Sequence, residues 1–300
     1  MSNNGLFTAC VFIWGSTWLA ITFQLGEVDP AYSVGLRFFF AVVILGAFCL
    51  FKKLNLVFPL RVHLRMAAVG LCLYMLNYMF VYHSQFYLVS ALVALLSSAI
   101  VYFNVLLRKV FFGKAINMEV VFGAAVGVIG LAFLFWKELK TFDAEQNMVL
   151  LGLALAFASF VSASFGNVIA ENAFDIGAPV IQFNLFAMLY SLVYSFGYGY
   201  FSGAEFVLPT STSYWVSLLY LSLFGSVLAF GAYMKLVKQM GADKSAYVVL
   251  MYPIVALILS TLYEGYEWHW TGFVGVLVVL LGNAIAMGKL KLSTFRLVKA

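Results

Sequence analysis

The sequence predicts an all-α integral membrane protein: ten transmembrane helices arranged as two inverted five-helix repeats, with both termini in the cytoplasm. Three observations predict it, namely composition, the spacing of apolar blocks, and a self-similarity between the halves. Of 300 residues, 64% are hydrophobic and 10% charged, against about 45–50% and about 25% in an ordinary globular chain. The apolar residues fall into blocks at 6–25, 31–51, 66–84, 90–107, 118–136, 148–170, 178–201, 214–234, 245–263 and 271–288. Each is close to the ~20 residues that cross ~30 Å of hydrocarbon at ~1.5 Å per helical residue. The connections are mostly 4–14 residues long, so the chain reads as a single membrane domain. The first block lacks a basic leader and a cleavage pattern and reads as a retained helix.

Orientation follows from the basic residues, which are enriched in cytoplasmic loops. With the N-terminus inside, the inner segments hold Lys52, Lys53, Arg61, Arg65, Arg108, Lys109, Lys114, Lys235, Lys238, Lys244, Lys289, Lys291, Arg296 and Lys299, the last four in a basic tail at 289–300. The outer segments hold only Lys137 and Lys140. The net charge of +5 therefore reports topology and contact with the lipid bilayer, not a nucleic-acid partner. Arg37 is the one basic residue left over.

Taken in order, helix 1 offers Trp14 and Trp18 on one face, with Gly15, Ser16 and Thr17 between them, a place for close backbone approach or bending. Trp14 lies too deep for an interface anchor and is a candidate cavity wall; Trp18 reads either way. Helix 2 carries Arg37 about 9 Å below the outer surface. It either snorkels toward Glu27 or Asp29, or faces a cavity and binds a solute carboxylate or phosphate. Helix 3 has Tyr74, Tyr78 and Tyr82 in an i, i+4, i+8 stripe with Asn77 beside it, and His83 near its outer end as a proton-coupling candidate. Helices 4, 6, 7 and 10 contribute Asn104, Asn167, Gln182, Asn184 and Asn283, mostly expected to bond between helices, with Asn184 kept as a site candidate. Helix 5 (Gly123, Gly127, Gly130) and helix 10 (Gly272, Gly275, Gly282) carry small-residue rows that suit close packing within a monomer or a homodimer surface. Helix 6 ends near Glu171, the nearest candidate for coupling by a carboxylate, since no acid occurs at midplane depth. Helix 8 places Tyr233, and helix 9 carries Pro253, a candidate hinge like Gly15.

The halves resemble each other. At an offset of 155, Gly70 meets Gly225, Leu73 Leu228, Tyr78 Tyr233, Met79 Met234, Ser90 Ser245, Ala91 Ala246, Val93 Val248 and Leu95 Leu250. With small shifts Gly123 meets Gly275, Gly130 meets Gly282, and Pro30 meets Pro179. The repeats span about 6–136 and 148–288. Because five is odd, the second must insert the opposite way, and a solute site is expected near the midplane where the two meet.

The stretches FIWGSTWLAI (12–21), DPAYSVGLRFFFA (29–41) and YPIVALILSTLYEGYEW (252–268) resemble the EamA family of the drug/metabolite transporter superfamily. The resemblance covers the whole chain and implies a bacterial inner-membrane carrier, commonly an exporter of amino acids or other small metabolites. The family's usual proline in helix 4 is replaced by Ser98, opposite Pro253, and Lys114 stands near where the other half has Glu264 or Glu267. Helix 9 is therefore expected to be kinked and helix 4 straighter.

Function classes narrow accordingly. Cys10, Cys49 and Cys72 lack CxxC spacing, so no disulfide framework, zinc site or other metal is expected, and no cofactor. Paired helical Asp, HExxH and a facing Ser–His pair are all missing, which argues against an intramembrane enzyme. The expectation is a secondary transporter, an exporter of an amino acid or related carboxylate-bearing solute by alternating access. An exporter of amphipathic drug-like or cationic compounds is the alternative, and a lipid-linked metabolite flippase or a receptor a distant third.

Overall fold

The computed structural model of the chain describes residues 2–116, 118–134, 136, 144–286, 288 and 290. Lys137, Lys140 and the expected basic tail apart from Leu290 lie outside them. Among the described residues seven helices are long and apolar enough to cross a membrane: α1 (Asn3–Thr22), α2 (Pro30–Phe51), α3 (Leu60–Ser84), α4 (Ser90–Phe112), α6 (Ala144–Asp175), α7 (Val180–Phe201) and α8 (Thr212–Ser245). Three shorter apolar helices complete the set, α5 (Met118–Leu134), α9 (Tyr247–Tyr263) and α10 (Trp270–Ala286). Local chemistry sets several of their ends. Asp29 caps α2 by accepting from the Ala31 N–H at 2.8 Å, with Pro30 in the first turn, where its missing donor costs nothing. Ser211 caps α8 through the Tyr214 N–H at 3.2 Å. Gly113 ends α4 in the left-handed region, φ 65°, which a side chain would strain.

Several helices outrun their apolar blocks. α3 starts at Leu60 and not near 66, α4 continues to Phe112, and α8 runs on through the basic stretch to Ser245, broken only by Gly241 at φ 87°. Hydropathy marks where lipid begins; backbone hydrogen bonding continues into water wherever residues such as Lys, Gln and Met favour it.

The expectation that, of helices 4 and 9, helix 4 is the straighter fails. α9 runs uninterrupted from Tyr247 to Tyr263 with Pro253 inside it, whereas α4 is broken at Ser97 and Ser98. The Ser97 hydroxyl bonds back to the Ala94 carbonyl at 2.5 Å, and the Ile100 and Val101 N–H groups pair three residues back, with Ser97 and Ser98. A serine competing for backbone acceptors interrupts the ladder without any proline. A second feature escaped the periodicity altogether: π-helical turns occupy Gly70–Leu76 in α3 and Leu221–Leu228 in α8.

Packing joins the first five helices to the last five. α5 lies on α10, α2 on α7, α1 on α8 and α9, and α6 on α3 and α4. At the α5–α10 seam a Cβ on Gly123 would sit 2.5 Å from the Gly282 carbonyl oxygen, and one on Gly275 2.6 Å from the Leu134 nitrogen. Gly123, Gly127, Gly130, Gly275 and Gly282 are thus used inside the chain, where α5 and α10 meet. Gly15 likewise lies in unbroken α1, where a Cβ would come within 2.5 Å of the Val255 Cβ on α9, so the close crossing of these helices needs glycine here.

Candidate functional site

Arg37 is the eighth residue of α2, about 10 Å from its start, and it is fully buried. Its Nε donates to the Ser226 hydroxyl of α8 at 2.8 Å and its Nη2 to the Tyr78 hydroxyl of α3 at 3.2 Å. The guanidinium carbon stands 4.2 Å from the Tyr78 ring centroid, close enough for a cation–π contact. Nη1 is buried without a partner. Snorkelling is excluded, because Asp29 caps α2 and Glu27 is taken by Thr210 and Ser211. The cation therefore points between the halves of the chain.

The two π-helical runs help make room for it. In α8 the Ala229 N–H reaches five residues back to the Phe224 carbonyl, and the Gly225 carbonyl accepts the Trp14 indole N–H at 3.2 Å. Gly225 is also where the guanidinium passes; a Cβ there would sit 3.0 Å from Nη2 and 2.9 Å from the Thr17 methyl. Ser226 follows directly, and in α3 the other π run ends just before Asn77 and Tyr78. Both runs thus lie beside polar side chains aimed inward, as π turns often do at functional sites.

Beside this cluster is a cavity of about 70 Å³. That volume admits a few waters and is well below the ~300–1,000 Å³ of an open small-molecule site, so a larger solute requires the helices to part. Trp14 and Trp18 wall it from α1, Asn77 and Tyr78 from α3, and Tyr233 from α8. These five sequence candidates do converge. The aromatic rings meet one another: Trp14 lies 4.9 Å from both Phe230 and Tyr233, and Trp18 5.8 Å from Tyr252. The Tyr233 hydroxyl and the Asn167 carbonyl oxygen are buried without partners. No Asp or Glu lines the cavity.

The remaining candidates sit apart from it. Tyr82 is buried one turn beyond Tyr78 and donates to Gln24 at 2.7 Å. Asn184 accepts from Tyr74 at 3.1 Å and reaches the Phe230 carbonyl, holding the wall from behind. His83 hydrogen-bonds the Met79 carbonyl at 2.7 Å near the end of α3. Glu171 is held by Arg108 at 2.8 Å and by the Ala242 N–H at 3.1 Å, while Arg108 also meets Asp243 at 2.5 Å; this cluster ties α4 to α6 and α8. Pro253 is buried in α9 beside Tyr252. Sequence reasoning missed Ser226, Phe230, Phe160 and Tyr252. Tyr252 was legible in the repeat, since the 155 offset pairs it with Ser97, and their hydroxyls share a 2.6 Å hydrogen bond. In the loop between α1 and α2, the Ser211 hydroxyl, its N–H and the Thr210 backbone hold the Glu27 carboxyl below its ordinary range. Among the described residues no group of three or more His, Cys, Asp or Glu could hold a metal.

Against known proteins, the model of the EamA-like transporter family matches residues 3–136 and 150–288. The uncharacterized inner membrane transporter YedA of Escherichia coli is 28% identical over 286 residues, covering 92% of this chain and 89% of its own. The uncharacterized transporter YoaV of Bacillus subtilis is 26% identical, with 83% and 84% covered, and Protein PagO of Salmonella typhimurium 22% identical, with 89% and 86% covered. A solved crystal structure of a protein, 19% identical, superimposes with a TM-score of 0.72 over 99% of each chain, a likeness of fold alone.

Proposed function

Since this chain belongs to the EamA-like transporter family, a family of membrane transporters and not of enzymes, we propose that it is a secondary transporter exporting a small carboxylate-bearing solute, such as an amino acid, by alternating access. In this reading ten helices cross the inner membrane of a bacterium with both termini cytoplasmic, an orientation that the fourteen inner against two outer basic residues support. The halves are inverted repeats. Three observations support that arrangement: the family model matches once in each half; the principal pairings, α5 on α10, α2 on α7, α1 on α8 and α9, and α6 on α3 and α4, map onto one another when each helix is exchanged for the one five later; and Ser97 touches its repeat partner Tyr252, as residues beside a twofold axis do. The observation that carries the function is Arg37, buried between the halves behind Tyr78, which takes a hydrogen bond from it and itself walls the aromatic cavity, with one donor nitrogen unpartnered. Paired N–H donors beside apolar walls suit a carboxylate with an apolar part. The aromatic walls also favour as second reading a cationic amphipathic solute held over Trp14 and Trp18.

The test is thermal stabilisation of the purified protein by a metabolite panel, with Arg37→Ala and the volume-conserving Arg37→Met in parallel. Carboxylates are expected to raise the midpoint of the native protein, at ~100-fold over Kd by the equivalent of about 2.7 kcal/mol, and to lose that effect in both variants. Stabilisation that persists unchanged in folded Arg37→Met refutes the assignment, and stabilisation by organic cations instead selects the second reading.

A further inference from the structure

Arg37 is a buried cation that has no counter-charge among the described residues. Its partners among them are neutral: the Ser226 and Tyr78 hydroxyls, the Tyr78 and Phe38 rings, and the Tyr82 hydroxyl beside it. Among the described residues the carboxylates facing the interface between the halves are engaged elsewhere, Glu27 with Thr210 and Ser211, Glu264 with Ser90, and Glu171 and Asp243 with Arg108. Hydroxyls satisfy donors but leave the net charge uncompensated, and burying such a charge is strongly disfavoured unless it is paired. A guanidinium does not escape by losing its proton, and no cavity carboxylate is present to trade a proton for a solute.

From this we infer that the transporter is an anion exchanger: its site closes over an anion in both directions, so each net-anionic organic solute carried out is matched by an anion carried back. The inference rests on the reading of Arg37 as the solute's anchor. In a state open to either side, water solvates the guanidinium. Passage between the two open states goes through one closed to both, and there the charge is dry. With a monoanion on Nη1 the closed site is a neutral pair; without one it holds a lone cation. The unloaded carrier therefore crosses far more slowly than the loaded one, and net efflux stalls unless an anion fills the return step. The same bookkeeping of charge prefers a simple monocarboxylate to a zwitterion, whose ammonium finds no acid in the cavity walls.

The experiment uses the full chain in proteoliposomes. The probe is whichever of pyruvate, benzoate, phenylacetate and L-phenylalanine gives the largest thermal shift that is lost in Arg37→Met. Its efflux is followed into potassium Hepes with valinomycin, which holds the potential at zero, and into the same buffer containing the probe or chloride outside. At least tenfold faster efflux with an anion outside is expected, and the probe and chloride arms tell which anion serves the return. Equal efflux with and without an outside anion overturns exchange while leaving the Arg37 site standing. No Arg37-dependent shift with any of the four acids overturns the site and exchange together. In Arg37→Gln the residual efflux is expected to lose its dependence on the outside anion; a tenfold acceleration that survives there overturns the role of this residue.

Discussion

Substituting Gly15 with alanine asks whether helix 1 flexes or is clamped at this point. The added Cβ would lie 2.5 Å from the Val255 Cβ, 2.8 Å from its Cγ1 and 3.1 Å from the Tyr252 carbonyl oxygen, where carbon atoms rest at ~3.5–4.0 Å. The overlap is about 1 Å, and although Cγ1 can rotate away, the Val255 Cβ and the Tyr252 carbonyl oxygen are moved aside by no rotamer change. Alanine gains up to ~1 kcal/mol in helix propensity, whereas forced overpacking costs ~1–3 kcal/mol. With relief only by separating α1 from α9, the upper part of that range applies and the net is a loss of about 1–2 kcal/mol. Scaled by the ~2–4 °C per kcal/mol of chains of 150–250 residues, the melting midpoint falls by a few degrees. Solute binding falls with it, because Trp14 and Trp18 flank Gly15 on the same helix and wall the cavity. The assay is a double-mutant cycle read by thermal unfolding in detergent. Val255→Gly removes both carbon contacts, so Gly15→Ala should cost much less in that background. A midpoint that rises in Gly15→Ala, or a loss that Val255→Gly leaves unchanged, refutes the crossing and restores the hinge.

Gly225→Ala tests the approach of α8 to the cation. The new Cβ would sit 2.9 Å from the Thr17 methyl and 3.0 Å from Arg37 Nη2, so both must shift; the ligand-free protein should lose about 1–3 kcal/mol and solute-induced stabilisation should drop tenfold or more, and equal binding in the variant counts against the site. Arg108→Gln leaves Glu171 and Asp243 without their cation. At 9% and 29% side-chain exposure, the expected cost is about 1–3 kcal/mol, below the ~3–5 kcal/mol of a fully buried pair, and larger than that of Asp243→Asn; a reversed order in thermal melts would show that Asp243 holds the cluster. For Glu27 the folded carboxyl is held low, by the Ser211 hydroxyl first. Its contribution to stability is therefore complete above the ordinary value of 4.5 and is lost as pH falls below it toward the lowered one. Melting midpoints across pH 7 to 3 should fall in that acid limb, and Glu27→Gln should flatten it; an unchanged limb assigns acid sensitivity elsewhere.

The legible parts of the site were those marked by contrast with their surroundings. Arg37 stood out as the one basic residue inside an apolar block, and Trp14, Asn77 and Tyr78 by spacing that places them on inward faces. Tyr233 followed from the repeat. Ser226 and Phe230 gave no such contrast: a serine and a phenylalanine in a lipid-length helix are ordinary until the π turns of α8 aim them at Arg37 and Trp14. The break in α4 was misread for a related reason. Proline is a conspicuous helix breaker, whereas the hydroxyl of Ser97 acts only where Ala94 and Tyr252 receive it.

The amino-acid order alone determined that the chain is a bundle of membrane-length helices, because hydrocarbon forces each backbone amide to pair within its own segment and so turns apolar block length into helix. It also placed one uncompensated cation at depth. Tertiary packing decided which way that cation points, which aromatic faces meet it, and that glycines of both rows meet inside the chain. Those outcomes depend on contacts between residues far apart in sequence, 189 positions for Arg37 and Ser226, and the periodicity of a single helix carries no record of its neighbour.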